Sequence, residues 1–515
     1  MEEKKENENK ENEDKEAFKT ISLKRYVWPD EAALKEEKKK NKKLKKVLVG
    51  SVVAAVLFGW FGGSILPYGF TSGLRNMIRR GMTMSSSKKI QETLDIMEND
   101  WYFSKDINNI DDRLTDQAVS GITTNAEDKH TEYMSKDEME SFTQSINRNY
   151  VGIGVQYINT DGTAIIEKVY KNTPAEEAGV KPGDILFSVD GVEMSGKTSD
   201  EIKKAVQGEA GSVVTIGFIR NGKHIALDIK RAEVSSTVYG EMKDDNIAYL
   251  QLYQFGSTTP DEVKSYLDDF ESASGLIIDL RDNGGGYLDS VSGVSSCFLP
   301  KGTKVMSQEF ANGDTTETDT KEEQYSKIKN IVILVNENTA SAAEVLTLAL
   351  KQQRDDVKII GTTTYGKGTV QVSKTFDDGS AIKYTTSKWL SPDGTWVNGV
   401  GITPDEEVRL HDVFYQSFTN MEDEDSYTVD SVSASISDAQ LCLDYLGYSV
   451  DRNDGYFSQA TADALKQYKE DHNLSSNETL DKETYDSLRS QVILDWNTSS
   501  THDLQLKQAE EELHG

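Results

Sequence analysis

The sequence contains little cysteine, histidine or proline for its length of 515 residues. Its two cysteines, Cys297 and Cys442, lie far apart in apolar stretches, so we interpret them as buried free thiols rather than a disulfide framework or a metal site. The six histidines show neither an HExxH motif nor the spacing of metal ligands. We therefore expect no metal and no cofactor.

Basic residues are also few in comparison with acidic ones. The chain has 57 Lys and Arg against 87 Asp and Glu, which gives a formal net charge of -30 at pH 7. Such an acidic chain repels polyanions, and this argues against nucleic acid as a partner. The length exceeds what one hydrophobic core supports, so several domains are expected.

Charged residues are absent from 47–66, VLVGSVVAAVLFGWFGGSIL. A helix of this length, rising about 1.5 Å per residue, matches a hydrocarbon layer of roughly 30 Å, so a transmembrane helix is predicted. Seven lysines between residues 38 and 46 precede it. The positive-inside rule then keeps the disordered charged tail, 1–46, in the cytoplasm and places the rest of the chain outside the cell membrane.

A cleaved signal peptide is the alternative interpretation of the same apolar run. The long segment before it, and the lack of a small-x-small cleavage site after Leu66, favour a retained single-pass anchor.

The residue pattern changes several times after the predicted anchor. Helical spacing over 67–149 gives way to short β-like runs over 150–231, and then to alternating apolar strands and helical patterns over 232–409, which indicate an α/β layer structure. A polar, acidic linker is predicted over 410–431, a mostly helical domain over 432–492 and a C-terminal tail over 493–515.

Ser341 stands where the apolar strand IVILVN gives way to the helical pattern ENTASAAEVLTLALKQ. Such a turn exposes the serine hydroxyl, and the free N–H groups and positive dipole end of the helix favour an oxyanion. A single serine at this position is more often a plain helix cap. Its interpretation as a nucleophile therefore depends on a suitable base nearby.

Lys367 is the candidate base. It lies in GTTTYGKGTVQ after the strand VKIIG, between two glycines that let the backbone pack closely around it. Desolvation lowers the pKa of a lysine, and a neutral lysine can take the proton of a serine hydroxyl without any histidine. No histidine occurs between His224 and His411. Gln371, four residues on, is placed to orient the lysine amine by a hydrogen bond.

A run of three glycines, Gly284 to Gly286, follows the apolar strand LIIDL in the motif LRDNGGG. Consecutive glycines allow backbone N–H groups to approach a ligand closely. The motif lacks the lysine of a phosphate-binding P-loop and does not complete GxGxxG. We therefore interpret it as a loop that donates hydrogen bonds to an oxyanion.

The motifs ENTASAAE, GTTTYGKGTVQ and LRDNGGG together resemble the active-site motifs of the C-terminal processing peptidases, or tail-specific serine proteases. The resemblance extends over about 88–408 and includes the stretch that ends in GITPD at 401–405. It implies that Ser341 is the nucleophile, that Lys367 is the base and that Gln371 supports the lysine.

The same resemblance implies an oxyanion hole formed by the backbone N–H groups of Gly285 and Ala342. Gly284 departs from the family, which often has proline there. The implied fold is a multidomain α+β protein. It has an α/β protease core of the crotonase or Clp-like type with an inserted β-rich PDZ domain, an N-terminal transmembrane helix and a C-terminal three-helix domain of the peptidoglycan-binding type.

Residues 150–231 resemble a PDZ domain, most clearly in YVGIGV and PAEEAGVKPGDIL. A peptide tail would add as a strand beside 153–156, with its terminal carboxylate on backbone N–H groups. A β-rich spacer without a ligand is the alternative. The residues expected to bind the peptide are Val151, Gly152, Ile153, Gly154, Ile202 and Val206.

Residues 438–488 resemble a peptidoglycan-binding domain, which implies binding to the cell wall; a purely structural or partner-binding module is the alternative. The whole chain is then expected to be a membrane-anchored serine endopeptidase that cleaves extracytoplasmic polypeptides at or near accessible C-termini. The oligomeric state is left open, a homo-oligomer being one option.

Two other functions compete with this prediction. An inactive envelope scaffold would bind peptide tails and cell wall, but it would be expected to lack one of Ser341, Lys367 and Gln371, and all three are present. An esterase or amidase acting on wall material would need a shaped small-molecule pocket that no sequence pattern indicates.

Overall fold

A computed structural model describes residues 86–124, 127–160, 163–220, 223–243, 246–475 and 477–514. No helix within these ranges combines the length and apolar character needed to cross a membrane. The predicted cytoplasmic tail, 1–46, and the predicted transmembrane helix, 47–66, lie outside the described residues.

The chain divides into two compact units, 1–111 and 112–515. The described part of the first unit contains helix α1 (Ser86–Asn99) and a short 3-10 helix (Ser104–Asp106). Helix α2 (Ile110–Thr123) begins at the end of this unit, and strand β1 (Glu132–Met134) and helix α3 (Lys136–Asn147) follow it.

The β-rich region predicted at 150–231 forms an antiparallel sheet with strand order β3-β4-β5-β7-β8, in which β6 pairs with β5. Two further strands, β2 and β9, pair with each other where the chain enters and leaves the region. The elements are β2 (Tyr150–Gly152), β3 (Val155–Thr160), β4 (Thr163–Val169), α4 (Pro174–Glu177), β5 (Ile185–Val189), β6 (Val192–Glu193), α5 (Ser199–Val206), β7 (Val213–Arg220), β8 (Lys223–Lys230) and β9 (Ala232–Val234).

Two sheets form the following region. A six-stranded sheet has the order β10-β11-β12-β15-β16-β19 and is parallel except for β10 against β11; a second, antiparallel sheet has the order β1-β18-β13-β14, with β17 also paired to β18. The elements are β10 (Val238–Met242), β11 (Ile247–Leu252), α6 (Thr259–Asp269), β12 (Gly275–Asp279), α7 (Leu288–Phe298), β13 (Lys304–Phe310), β14 (Thr315–Asp319), β15 (Ile331–Val335), α8 (Ala342–Gln353), β16 (Val357–Gly361), β17 (Thr369–Thr375), β18 (Ala381–Leu390) and β19 (Glu406–Glu407).

The C-terminal region is mostly helical. Its elements are a 3-10 helix (Asp412–Tyr415), β20 (Ser426–Tyr427), α9 (Ala434–Tyr445), α10 (Gln459–Asp471), β21 (Leu480–Asp481), α11 (Lys482–Thr498), a 3-10 helix (Ser500–His502) and α12 (Leu504–His514). Helices α9, α10 and α11 enclose a hydrophobic core that also contains Val413 and Met421. Residues 410–431, predicted as a linker, thus contribute to this core.

Every residue of β12 and β15 is buried, because this sheet is covered on both faces. Ile278 and Ile333 pack with helices α6, α7 and α8 in one cluster. Ile277 and Val332, which alternate with them, pack on the opposite face, where α12 contacts β12, β15 and β16. The carboxyl ends of β12, β15 and β16 lead into the three motifs that the sequence singled out.

Candidate active site

Ser341 caps the N-terminus of α8, six residues after the end of β15. Its backbone has φ 55° and ψ -116°, a conformation that residues with a side chain rarely adopt. The turn is held in place by Thr339, whose buried hydroxyl donates to Leu280 O at 2.8 Å and accepts from Asn336 N at 2.9 Å. The serine is thus presented at a strained but well supported strand-to-helix turn.

Glu344, in the first turn of α8, is fully buried and connects two of the predicted motifs. Its carboxylate accepts hydrogen bonds from the backbone N–H groups of Ser341 at 2.8 Å, Gly366 at 2.8 Å and Lys367 at 2.9 Å. It also accepts one from the hydroxyl of Thr364 at 2.5 Å. One side chain therefore fixes the serine turn against the lysine loop.

The glycines beside Lys367 are required by close packing. A Cβ atom at Gly366 would lie 2.6 Å from Gly401 N, and one at Gly368 would lie 2.4 Å from Trp396 Nε1. Lys367 itself is half-buried between them. The loop thus leaves no room for side chains on either side of the lysine.

The surroundings of Lys367 favour its neutral form. Burial and then the positive charge of Lys383 lower the pKa of Lys367, and this effect is opposed by three carboxylates, those of Asp128, Glu132 and Glu344. No hydrogen bond joins Lys367 Nζ to Ser341 Oγ within the part of the chain that the structure describes. The two motifs lie side by side because both are bonded to Glu344.

A segment from far upstream in the sequence also reaches the lysine. Burial, followed by the positive charges of Lys367 and Lys129, lowers the pKa of His130. Lys129 Nζ donates to Tyr365 Oη at 2.6 Å in the lysine loop. The pairing of β1 with β18 brings this segment to the site. Sequence reasoning missed His130 because it compared only histidines near the motifs along the chain.

Gln371 lies in β17, but its side chain does not bond to Lys367 among the described residues. Its Nε2 donates to Thr369 Oγ1 at 2.9 Å and to Thr385 Oγ1 at 3.0 Å. The backbone N–H of Thr385 in turn donates to Thr131 Oγ1 at 3.2 Å. Support of the lysine by Gln371 stays a prediction.

Gly285 lies directly against the candidate nucleophile. A Cβ atom there would be 2.9 Å from Ser341 Cβ and 3.0 Å from Ala342 N. The Gly285 N–H, however, donates to Asn283 Oδ1 at 2.9 Å. Asn283 must release this N–H before it can serve an oxyanion. Ala342 is the first residue of α8, so its N–H has no acceptor within the helix.

A cavity of about 420 Å³ lies beside β3, which is at the edge of its sheet. Four of the six residues predicted to bind a peptide line this cavity: Gly152, Ile153, Gly154 and Val206. The other two do not line it: Val151 pairs with Glu233 in the β2–β9 ladder, and Ile202 is fully buried in the core.

Two basic residues that sequence reasoning did not consider, Arg148 and Lys203, also line the cavity. Arg148 Nε donates to Ser236 O at 2.9 Å, and its guanidinium lies 4.6 Å from the centre of the Tyr253 ring. A positive charge at this position suits the carboxylate end of a peptide.

The two cysteines are free and buried, and burial raises the pKa of each thiol to about 12. Across the described ranges, no group of three or more His, Cys, Asp or Glu side chains is placed to hold a metal ion.

Three family models match the chain: peptidase family S41 over 246–408, a PDZ domain over 165–220 and a putative peptidoglycan binding domain over 432–488. Among solved structures, the photosystem II D1 C-terminal processing protease aligns over 64% of this chain and 94% of its own, with 22% identity. The TM-score is 0.35, which is too low to support a conclusion about fold.

Curated relatives cover most of the chain. The carboxy-terminal processing protease CtpA of Bacillus subtilis (strain 168) is 34% identical over 444 residues, which cover 85% of this chain and 91% of the relative. A probable CtpA-like serine protease of Staphylococcus haemolyticus is 33% identical over 402 residues, 77% of this chain and 79% of the relative. The chain therefore belongs to peptidase family S41, among the carboxy-terminal processing serine proteases.

Proposed function

We propose that this serine peptidase uses Ser341 as nucleophile and Lys367 as general base to cleave extracytoplasmic proteins at or near their C-termini. The observation that carries the proposal is the bridge made by Glu344, whose carboxylate accepts from the backbone of Ser341, Gly366 and Lys367. This bridge keeps a strained serine next to a lysine whose pKa is lowered, first of all by burial.

The chemistry follows from these two side chains. Neutral Lys367 takes the proton of the Ser341 hydroxyl as Oγ attacks the scissile carbonyl carbon, and the lysine then protonates the departing amine. A water molecule hydrolyses the acyl-enzyme with Lys367 again as base. The negative oxygen that forms in each step needs N–H donors, and in this proposal those of Ala342 and of the adjoining loop around Gly285 supply them.

Substrate tails are read, in this proposal, at the cavity beside β3. The tail adds as an extra strand on the open edge of the sheet, and its carboxylate meets the N–H groups of Ile153 and Gly154 together with Arg148. Binding there would favour the arrangement in which Asn283 releases the Gly285 N–H. Binding of a substrate C-terminus at this cavity would thus activate the protease.

The predicted anchor at 47–66 would hold the protease at the outer face of the cell membrane, with its N-terminus in the cytoplasm. The domain at 432–488 would then add contact with peptidoglycan.

Tail recognition predicts a preference between two otherwise identical substrates. An unstructured polypeptide with an apolar C-terminus should be cleaved at least about tenfold faster by the full-length protein than the same polypeptide with its C-terminal carboxylate amidated. The rates are compared by mass spectrometry of the fragments, with Arg148→Gln as the variant expected to narrow the difference. Equal rates for the two substrates would count against recognition of the C-terminal carboxylate. If the wild-type protein cleaves no faster than Ser341→Ala, the inactive scaffold is favoured.

The charge of Lys383 predicts a shift in the pH profile. The positive charge of Lys383 disfavours protonated Lys367 and so lowers its pKa, and Lys383→Gln removes this effect and frees the partner carboxylate of Glu132. Both changes raise the pKa of Lys367, so the acidic limb of kcat/KM should move to higher pH. The exposed Lys374 on β17 supplies the control, because Lys374→Gln should leave the limb in place. A limb that stays fixed or moves to lower pH in Lys383→Gln argues against Lys367 as the base.

A further inference from the structure

Helix α12 completes the catalytic sheet. Its residues Leu506 and Ala509 are buried against the face formed by Ile277, Val332 and neighbouring residues. The packing is close enough that a Cβ atom at Gly275, at the start of β12, would lie 2.9 Å from Leu513 Cδ2. A parallel sheet needs cover on both faces, and the last residues of the chain supply it here.

The same segment places a buried carboxylate on the glycine loop. Arg281 Nη1 and Nη2 donate to Asp503 Oδ1 and Oδ2, each at 2.8 Å, and Nη2 also donates to Asp279 Oδ2 at 2.6 Å. The side chains of Arg281 and Asp503 are each only 9% exposed. Buried charges are tolerated only when they are paired, so this two-point contact fixes the guanidinium.

The pairing of Arg281 with Asp279 favours the charged form of both side chains. Burial opposes the positive charge, but the carboxylates of Asp279 and Asp503 hold the pKa of Arg281 well above its ordinary value. Burial likewise opposes the charge of Asp279, but Arg281 lowers the pKa of that carboxyl. Gln505 adds a neutral contact, accepting from Arg281 Nη1 at 3.2 Å while its own Nε2 donates to Val408 O at 2.7 Å.

Arg281 begins the loop that reaches the nucleophile. Asp282, which follows it, has φ 59°, and its N–H donates to Asn336 Oδ1 at 2.9 Å. Asn283 O then accepts from the N–H of Ala340, the residue immediately before Ser341, at 2.9 Å. The loop is therefore held at one end by the contacts of Arg281 with Asp279 and Asp503, and at the other by the serine turn.

We propose that Asp503 is a positioning residue for the protease: through Arg281 it holds the loop that presents the oxyanion donors to Ser341. Asp503, which lies in the stretch that the sequence left as a tail, then acts on the active site through Arg281, although it follows the peptidoglycan-binding region in the chain. This inference rests on the proposed role of Ser341.

The test compares two carboxylates of the same segment in the full-length protein. Asp503→Asn removes one of the two carboxylate charges that hold Arg281, the other being that of Asp279, while Glu512→Gln removes the bond from Lys358 Nζ to Glu512 Oε2 at 2.6 Å, which docks α12 away from the glycine loop. With a soluble peptide substrate, Asp503→Asn should lower kcat about 10- to 100-fold with little change in KM, whereas Glu512→Gln should stay within about twofold of wild type. A role in stability alone would leave kcat of the folded fraction unchanged in both.

Asp503→Glu keeps the negative charge, and its kcat is measured in place of that of Asp503→Asn if the asparagine variant does not fold. Its extra methylene displaces the guanidinium, so kcat should fall to a value between those of wild type and Asp503→Asn. Wild-type kcat in folded Asp503→Glu, or in folded Asp503→Asn, would overturn the inference. Ser341→Ala in the same assay separates the two proposals: if it is inactive while the Asp503 variants are fully active, only the positioning role fails, and if it is active, the proposed function fails.

Discussion

Ser341→Ala and Lys367→Met are each expected to lower kcat by a factor of about 10⁴ or more, and the double variant should be no slower than either single one. The alanine variant lacks the attacking oxygen, and the methionine variant keeps the volume of the half-buried side chain but cannot accept a proton. Because the two groups act in one proton transfer, removing the second group should not lower kcat further once the first has been removed.

The measurement is single-turnover cleavage of a peptide with an apolar C-terminus, with circular dichroism to show that each variant is folded. Lys374→Met, on the exposed part of β17, is the matched control and should retain wild-type kcat. If the fold-loss of kcat in the double variant equals the product of the two single losses, the two residues contribute independently, which contradicts a shared step.

Gly285→Ala is expected to lower kcat by about 10² to 10³, the range seen when an oxyanion donor is lost. Gly285 has φ 108°, which an alanine adopts only under strain, and the new Cβ would lie 2.9 Å from Ser341 Cβ and 3.0 Å from Ala340 O. The methyl group must therefore move either the glycine loop or the nucleophile.

Its neighbour provides a control that is one residue away. A Cβ atom at Gly284 meets nothing within 4 Å, so Gly284→Ala should change kcat by less than about threefold. Steady-state kinetics of the two variants, with thermal unfolding to compare their stability, test the difference. Equal activity of the two variants would show that the loop does not contact the reacting serine as proposed.

The family, the PDZ domain and the mixed α+β architecture could be predicted from the sequence. The comparisons confirm the family and the PDZ domain, and the structure shows the mixed α+β architecture. The reason is local: strands such as IVILV and GLIID are buried on both faces and read as unbroken apolar runs, and each functional motif directly follows such a strand. Short motifs beside strong strand signals can be placed without knowing the rest of the fold.

Contacts between distant segments could not be predicted in this way. The segment around His130 contacts the lysine loop, through Lys129 and Tyr365, because β1 pairs with β18, and no sequence pattern near His130 predicts that pairing. Glu344 is a different case, since SAAE has the Ser-x-x-Glu spacing of a helix capping box, so its contact with the Ser341 N–H was readable. The bonds of Glu344 to Gly366 and Lys367 in the lysine loop could not be predicted from the sequence.

The C-terminal segment shows the same limit. Leu506, Ala509 and Leu513 follow the three-to-four-residue spacing of a helix with one apolar face, but the spacing does not say which surface that face covers. The surface that this face covers is the catalytic sheet. Arg281 and Asp503, which pair beside it, are more than two hundred residues apart in the chain.

The central claim is that Ser341 is a nucleophile activated by Lys367, and covalent labelling tests it most directly. The full-length protein is treated with a fluorophosphonate that carries an apolar peptide, and the modified residue is located by mass spectrometry. We predict a single adduct at Ser341, formed far more slowly in Lys367→Met and absent in Ser341→Ala. An adduct on another residue, or labelling of Ser341 at the wild-type rate without Lys367, would contradict the account.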